Sequence, residues 1–557
     1  MAKKWWQKEV FYQIYPASFK DSNNDGIGDI QGIIEELDSL KELGITTIWL
    51  SPIYASPMID NGYDIEDYYD INPMFGSMAD FDELVRKTKS LGIKIILDLV
   101  VNHTSDKHPY FQEALKSPNN PYRDFYIFKE GNQGLTPNNW RSNFGKGSSW
   151  SQVPNEDNMF YHHVFSPQQP DLNWENPKLR EKIYTMINWW LDKGIAGFRI
   201  DAITFIKKDQ DFASITPDGT DGLGKVKRKT ENRPGIEKFL EELNAKTFKK
   251  YNAVTIGEAT GVGYEDYNKF IGDNGYFSMI FDFSYADIDV YSGSEWYRQT
   301  NWTVKELREK IFKSQNAIQK VGWGANFLEN HDQPRSINKF IKNSDYQDKR
   351  GAKLLAMLYF FLRGCPFIYQ GQELGMVNAK RESIAEFNDV SSKDNYFRAI
   401  DEGYSTEQAL GFVNVRSRDN GRVPYAWNRE INNGFNEGHQ PWLGLAEQAE
   451  GINLMDEKID LKSVWHFYKK MIQIRNQSKW SEDLIYGEFK PYESSENVIS
   501  YGRGKHVKLY LNLSDDVSHL TIMDGEVILN NYETYTVNEL KPYQGILIGV
   551  KNDEKRL

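Results

Sequence analysis

Three carboxylates close short apolar runs of strand character: Asp201 in "GFRID", Glu258 in "TIGEA" and Asp332 in "ENHD". In "AGFRIDAITF", Arg199 and Asp201 lie two residues apart, so in a strand they point to the same face. Two flanking carboxyls are what glycosidic bond cleavage requires, one ionised as nucleophile or base, the other protonated to release the leaving oxygen. An arginine beside a carboxylate favours its ionised form. The pattern therefore makes Asp201 the ionised nucleophile, aimed by Arg199. Glu258, with apolar strand neighbours, takes the acid role with a raised pKa. Asp98, Asn102 and His103 in "DLVVNHT", His331 beside Asp332, and "IYQGQELG" add polar groups at the ends of further runs. One such residue alone is an ordinary loop cap or rim brace. Five strand ends carrying such groups imply convergence on one site.

The elements that must position these residues are strands alternating with amphipathic helices. Eight strand candidates, from "VFYQIYPASF" through "ITTIWLSP", "IKIILDLVVNH", "IAGFRIDAI", "NAVTIGEA", "FSMIFDF" and "GANFLEN" to "GCPFIYQ", are mostly separated by helical patterns. One such pattern is "DIQGIIEELDSLKELG", read as a single helix stopped at Gly44. Repeated β–α units predict an α/β fold, a closed (β/α)8 TIM barrel. Chemistry in such a barrel gathers at the C-terminal ends of the strands, where these residues fall. The alternation lapses over 106–174, which reads as a loop-rich inserted subdomain after the third strand. The barrel is expected over 1–105 and 175–481. Four short strands, "VISYGRG", "VKLYLNL", "EVILNN" and "GILIGV", predict an antiparallel β domain over 482–557.

The formal charge of −12 argues against nucleic acid or an anionic membrane as partner and fits a neutral substrate. Aromatics make up 14% of the chain; flat rings suit sugar faces and serve equally as core. A single cysteine, Cys365, excludes an internal disulfide and a cysteine zinc cluster, and is expected as an inert buried thiol. No signal-peptide pattern and no run long enough to span a bilayer is seen, so a cytoplasmic monomer is expected.

A separate signal lies in "DSNNDGIGD". Oxygen ligands fall at Asp21, Asn23, Asp25 and Asp29, with the Ile27 carbonyl between them and Gly26 at the sharp turn. This is the spacing of an EF-hand-type loop for Ca²⁺, although Gly32 stands where that loop carries its bidentate glutamate. No organic cofactor is called for.

The set "DLVVNH", "GFRID", "GEA" and "ENHD", in this order, resembles the signature regions of glycoside hydrolase family 13, the α-amylase family. The opening "WWQKEVFYQIYPASFKDSNNDGIGDIQGI" and "QPDLNW" look like its oligo-1,6-glucosidase and α-glucosidase branch, and the similarity covers nearly the whole chain. The resemblance implies a retaining mechanism on α-gluco-oligosaccharides. Asp201 would form the glucosyl-enzyme and Glu258 would act as acid and then base. Asp332 would hold the sugar, with His103 and His331 stabilising the transition state. It further implies that Asp60 and Tyr63 in "MIDNGYD" and Arg418 in "RSRDNGR" close the pocket behind the terminal glucose, making the enzyme exo-acting. Phe165, Gln169, Arg199 and Ala202 complete the implied substrate contacts. In this branch valine after the nucleophile goes with α-1,6 preference; Ala202 implies α-1,4 or broad specificity. Loops like 21–29 bind Ca²⁺, or Mg²⁺ in some members. A sucrose-isomerising relative, a trehalose-6-phosphate hydrolase and a non-catalytic transporter subunit are the alternatives. Against the first, "SINKF" follows "ENHDQPR" in place of an arginine-rich loop. For the second no phosphate pocket is assignable. The third would lack carboxylates that this chain keeps.

Overall fold

The structure is a computed structural model that describes residues 3–144, 146–291, 295–448, 451–520, 525–536 and 538–550. Eight parallel strands close into a barrel in chain order: β1 Phe11–Ile14, β2 Thr47–Leu50, β3 Lys94–Val100, β4 Gly197–Asp201, β5 Val254–Gly257, β6 Met279–Phe281, β7 Gly324–Asn326 and β8 Cys365–Tyr369. All eight lie within the runs picked out from the sequence. Apart from Lys94 at the start of β3 they are buried throughout, as parallel strands covered by helices must be. Aromatic rings fill the interior beneath the C-terminal rim: Phe11 stacks on Phe367 at 4.4 Å, and Phe281 meets Phe367 at 5.0 Å and Trp49 at 5.8 Å.

The first connection differs from its expectation. Two helices, α1 Ile30–Glu35 and α2 Leu37–Leu43, replace one, broken where Glu36 leaves helical geometry (φ −103°, ψ 9°). Gly44 stops α2 as expected, at φ 103°, a conformation that costs glycine nothing. The other crossovers include α3 Met78–Ser90, α4 Pro177–Asp192, α5 Ile236–Lys246, α6 Val304–Val321 and α7 Lys349–Phe360. Ser77 and Asp80 form a capping box on α3, and Asn176 caps α4 ahead of Pro177. After β8 the chain adds a helical hairpin, α8 Val390–Asp401 and α9 Thr406–Arg416. The barrel ends with α10 Val464–Gln477.

Between β3 and α4 lie the helix Pro109–Lys116 and a three-stranded antiparallel sheet of Phe128–Glu130, Met159–His162 and Trp150–Gln152. A bridge from His103 to Asp171 sews this insert to the segment after β3, and one from Tyr126 to Leu172 ties the insert to itself. Beyond α10, five antiparallel strands follow: β9 Phe489–Pro491, β10 Val498–Arg503, β11 Val507–Asn512, β12 Glu526–Asn530 and β13 Gly545–Gly549. Their sheet docks on α7 through buried groups: Arg503 Nη1 donates to the Phe361 carbonyl at 2.6 Å and Tyr501 OH to that of Leu358 at 3.2 Å. Cys365 is buried, and burial pushes its thiol up to about 12.

Candidate active site

The site grows from β4. Its register sets Arg199 opposite Asp98 on β3 and Ile256 on β5. Pleating turns Asp201 to the same face as Arg199. Arg199, 1% exposed, donates Nη1 to Asp98 Oδ1 and Asp201 Oδ1, both at 2.8 Å, and Nη2 to Glu258 Oε2 at 2.6 Å. One guanidinium thus holds three carboxyls. Trp49 Nε1 at 3.1 Å and Tyr63 OH at 3.0 Å serve the other oxygen of Asp98.

Immediately after Asp201 the chain turns sharply. Ala202 takes φ 43°, ψ 33°, a left-handed conformation uncommon for a residue with a Cβ. The turn aims the Ala202 N–H at Glu258 Oε2, 3.1 Å away. Each of Asp201 and Glu258 therefore has one tethered oxygen. The second oxygen of each has no protein partner among the described residues, and both residues line the pocket.

Arg199 pairs with Asp201, its partner by strand spacing, and because β4 and β5 are neighbours the same arginine reaches Glu258 at least as closely. Burial pushes the Asp201 carboxyl well above the usual range; Arg199 opposes this, and the charges of Glu258, Asp98 and Asp332 add to it.

Asp332 sits in the opposite electrostatic setting. Arg422 Nη2 donates to its Oδ1 at 3.0 Å and Arg418 Nη1 at 3.3 Å, and His331 Nε2 lies 3.2 Å from Oδ2. Burial works against its charge, but His331, Arg418 and Arg422 overcome it and hold the carboxyl well below the usual range. His331 is itself pulled down to about 3, chiefly by burial, so the ring is neutral. Gln13 Nε2 at 2.8 Å and Tyr63 OH at 2.5 Å fix its two nitrogens, and the Tyr63 ring stacks on it 8° from parallel.

The rear of the pocket is an ion pair. Arg418 Nη2 donates to Asp60 Oδ1 at 2.8 Å, and Gln169 Nε2 to Asp60 Oδ2 at 3.0 Å. Gln169 Nε2 also lies 3.2 Å from His103 Nε2. Phe165 packs against His103, Phe144 and Phe205 with ring centroids 5.3, 5.4 and 5.7 Å apart. The pocket encloses about 120 Å³. Asn143, Phe144, Phe205, Lys227 and Thr260 line it as well, none of them singled out from the sequence. Asn102 is fully buried behind His103: Lys208 Nζ, buried too, donates to its Oδ1 at 2.8 Å and pairs with Asp171 at 3.0 Å. A lysine inside "FIKKDQ" gave no cue to this role, because burial is not legible one residue at a time.

The 21–29 loop lies apart from these residues. Gly26 makes its sharp turn at φ 94°, where a Cβ would sit 2.4 Å from the Gln440 carbonyl oxygen. Asp21 accepts from the N–H groups of Asn24 at 2.7 Å and Gly26 at 2.8 Å, and Asp29 caps α1 through Gly32 N at 2.7 Å. Asn23 and Asp25 accept from the N–H groups of Asp25 and Ile27. The oxygens expected as ligands thus cap loop N–H groups. Among the described residues no three His, Cys, Asp or Glu side chains are grouped to hold a metal.

Two carboxyls with free oxygens in one enclosed pocket, and a third held ionised by two arginines, are equipped for acid-assisted displacement at a sugar carbon. The α-amylase catalytic-domain family model matches residues 13–483. The probable oligo-1,6-glucosidase 3 of Bacillus subtilis (strain 168) is 46% identical over 98% of this chain and 99% of its own. The oligo-1,6-glucosidase of Parageobacillus thermoglucosidasius is 39% identical over 97% of each. Among solved structures, isomaltulose synthase from Klebsiella sp. LX3 superposes with a TM-score of 0.93 at 36% identity, over 99% of this chain and 100% of that one. Pocket, barrel and comparisons agree, and the chain belongs to the α-amylase family of glycoside hydrolases, among the oligo-1,6-glucosidases and α-glucosidases.

Proposed function

We propose that this glycoside hydrolase is an exo-acting, retaining α-glucosidase that releases α-glucose from the non-reducing end of short α-gluco-oligosaccharides. The observation that carries the reading is the Asp60–Arg418 pair on the pocket wall, which supports a pocket closed beyond the terminal sugar and so attack at a chain end.

In this reading the untethered oxygen of Asp201 attacks the anomeric carbon while Glu258 gives its proton to the leaving oxygen. The glucosyl-enzyme is then hydrolysed by a water that Glu258 deprotonates. Retaining enzymes hold the reacting carboxyls ~5–5.5 Å apart. A shared guanidinium supports such proximity. It also suits a pair that shares one proton. With Glu258 protonated, its repulsion of Asp201 vanishes and Arg199 is left to keep Asp201 ionised. Asp332, with neutral His331, and His103 would receive the sugar hydroxyls.

Ala202, small and on the pocket wall, supports acceptance of α-1,4 links. The relatives named oligo-1,6-glucosidase support α-1,6 cleavage. We therefore assign broad specificity. The likeness to isomaltulose synthase favours glucosyl transfer or sucrose isomerisation as the second reading. Initial rates on maltose, isomaltose and sucrose, with anomeric NMR of the first product, test all of this. α-Glucose from the first two is expected; β-glucose would overturn the retaining assignment, and isomaltulose from sucrose would favour the second reading.

The 21–29 loop is proposed to take a structural Ca²⁺ through Asp21, Asn23, Asp25, Asp29 and the Ile27 carbonyl. Its all-oxygen donor set supports this, and the loop N–H groups compete for the same oxygens. Among the described residues no helix is long and apolar enough to cross a membrane. The acidic charge and the lone, buried thiol support a cytoplasmic monomer.

A further inference from the structure

Arg418 is gripped from behind. Asp389, fully buried, stands at the N-cap of α8 and accepts Arg418 Nε at 2.8 Å and Nη2 at 2.6 Å on Oδ1. The same carboxylate caps the helix, taking the N–H of Ser391 at 3.1 Å and that of Ser392 at 3.0 Å. Asp419 Oδ2 fixes the Asp389 N–H at 3.1 Å, and Ser392 Oγ meets Ser417 Oγ at 2.8 Å. The start of α8 and the turn after α9 are thus knotted together around the base of Arg418.

A guanidinium has five N–H donors on one rigid plane. Nε and Nη2 of Arg418 are spent on Asp389 and Asp60. Among the described residues that edge makes three hydrogen bonds and Nη1 makes one, to Asp332 Oδ1, long at 3.3 Å, and Arg422 already serves that oxygen at 3.0 Å. Nη1 is therefore the donor left for a ligand.

We propose that Asp389 is a positioning residue for substrate recognition, occupying the Nε edge of Arg418 so that Nη1 is presented to a hydroxyl of the terminal sugar. It acts through Arg418 and does not line the pocket. The proposal rests on the reading of Arg418 as the rear wall. Charge supports it: burial disfavours ionisation of Asp389, but Arg418 and Arg422 overcome this and hold the carboxyl below its usual range. It also gives the α8–α9 hairpin a function, since its two ends determine where the recognition arginine points.

The test is Asp389→Asn. Asparagine caps a helix as well as aspartate does, so the cap survives and the charge is lost. On maltose, KM should rise at least about tenfold, with kcat within about threefold of the wild type. The Ki of glucose should rise in parallel, and Tm should stay within about 3 °C. Asp389→Ala, lacking both cap and charge, should lose more Tm without a further rise in KM. A KM for Asp389→Asn within twofold of the wild type overturns the proposal, as does a rise in KM that leaves the Ki of glucose unchanged. Arg418→Gln separates the layers. If it raises KM while Asp389→Asn does not, only the positioning role fails; if it leaves KM unchanged, the rear-wall reading itself fails.

Discussion

Arg199 and Glu258 meet at 2.6 Å, closer than the 2.8 Å between the same guanidinium and Asp201. Removing the arginine would strand two buried carboxyls, Asp98 and Asp201, and the half-buried Glu258 at once. Arg199→Met should cost about 3–5 kcal/mol of stability, the scale for breaking a buried ion pair from one side. It should also lower kcat by at least about a thousandfold, because Asp201 would lose its charge partner and both Asp201 and Glu258 the guanidinium that orients them. Urea denaturation and single-turnover kinetics check this. A variant that retains kcat within tenfold would show that the guanidinium is not what holds the pair.

His108 supplies a pH dependence away from the pocket. Its Nδ1 accepts the Tyr110 N–H at 3.1 Å, capping the helix Pro109–Lys116, and burial pulls the ring down to about 4. An unfolded histidine titrates near ~6.5, so on acidification the unfolded chain takes up the proton first. The stability from the neutral ring is whole above ~pH 6.5 and is lost as pH falls toward 4, about 3 kcal/mol in all. Protonation also abolishes the cap. The Tm of the wild type should therefore fall more steeply than that of His108→Asn between pH 7 and 4. Parallel curves would reject the assignment.

Asp60→Ala should open the rear of the pocket. Gln169 loses its acceptor and Arg418 its partner there. Hydrolysis of maltose should drop about a hundredfold, the upper scale of a lost charge-assisted hydrogen bond, while cleavage inside end-blocked maltodextrins should emerge. Unchanged chain-end activity would sink the closure argument.

Ala202→Val tests linkage preference. The isomaltose-to-maltose ratio of kcat/KM should rise by about ten- to two-hundredfold, as one or two methyl groups allow. The change also places a β-branched residue at φ 43°, so Tm should fall. A ratio that stays put, or moves toward maltose, rejects Ala202 as a determinant.

Removing Ca²⁺ with a chelator should lower Tm by a few degrees, and adding it back should restore the loss as binding linkage requires. Asp21→Ala should abolish that response. A wild-type melt indifferent to both treatments ends the calcium reading of the 21–29 loop.

The barrel was legible because the strands are short apolar runs, five of them ending in polar groups, and most crossovers keep a 3.6-residue period. Asp201, Glu258 and Asp332 were nameable because strand ends in such a barrel face one mouth. What Arg199 does was only half legible. Its same-strand neighbour can be read from spacing, but its contact with Glu258 depends on the register between β4 and β5. Asp389 carried a local signal, an aspartate ahead of two serines at a helix start, yet nothing local tied it to Arg418, 29 residues on. The break at Glu36 was hidden because the apolar spacing runs through it unchanged.

The left-handed turn at Ala202 and the grip of Arg199 leave six carboxyls, Asp60, Asp98, Asp201, Glu258, Asp332 and Asp389, sharing three guanidiniums, Arg199, Arg418 and Arg422. The neutral ring of His331 does not make up the difference. With one proton resident and Lys227 on the pocket wall counted, the group is still one positive charge short, and fixed dipoles cannot relax to hide the shortage. A sugar whose ring carbon turns cationic as its bond breaks would supply the missing charge at the moment it is most unstable in water. The same shortage predisposes the empty pocket to protonated amines, so a basic iminosugar should outcompete its neutral lactam.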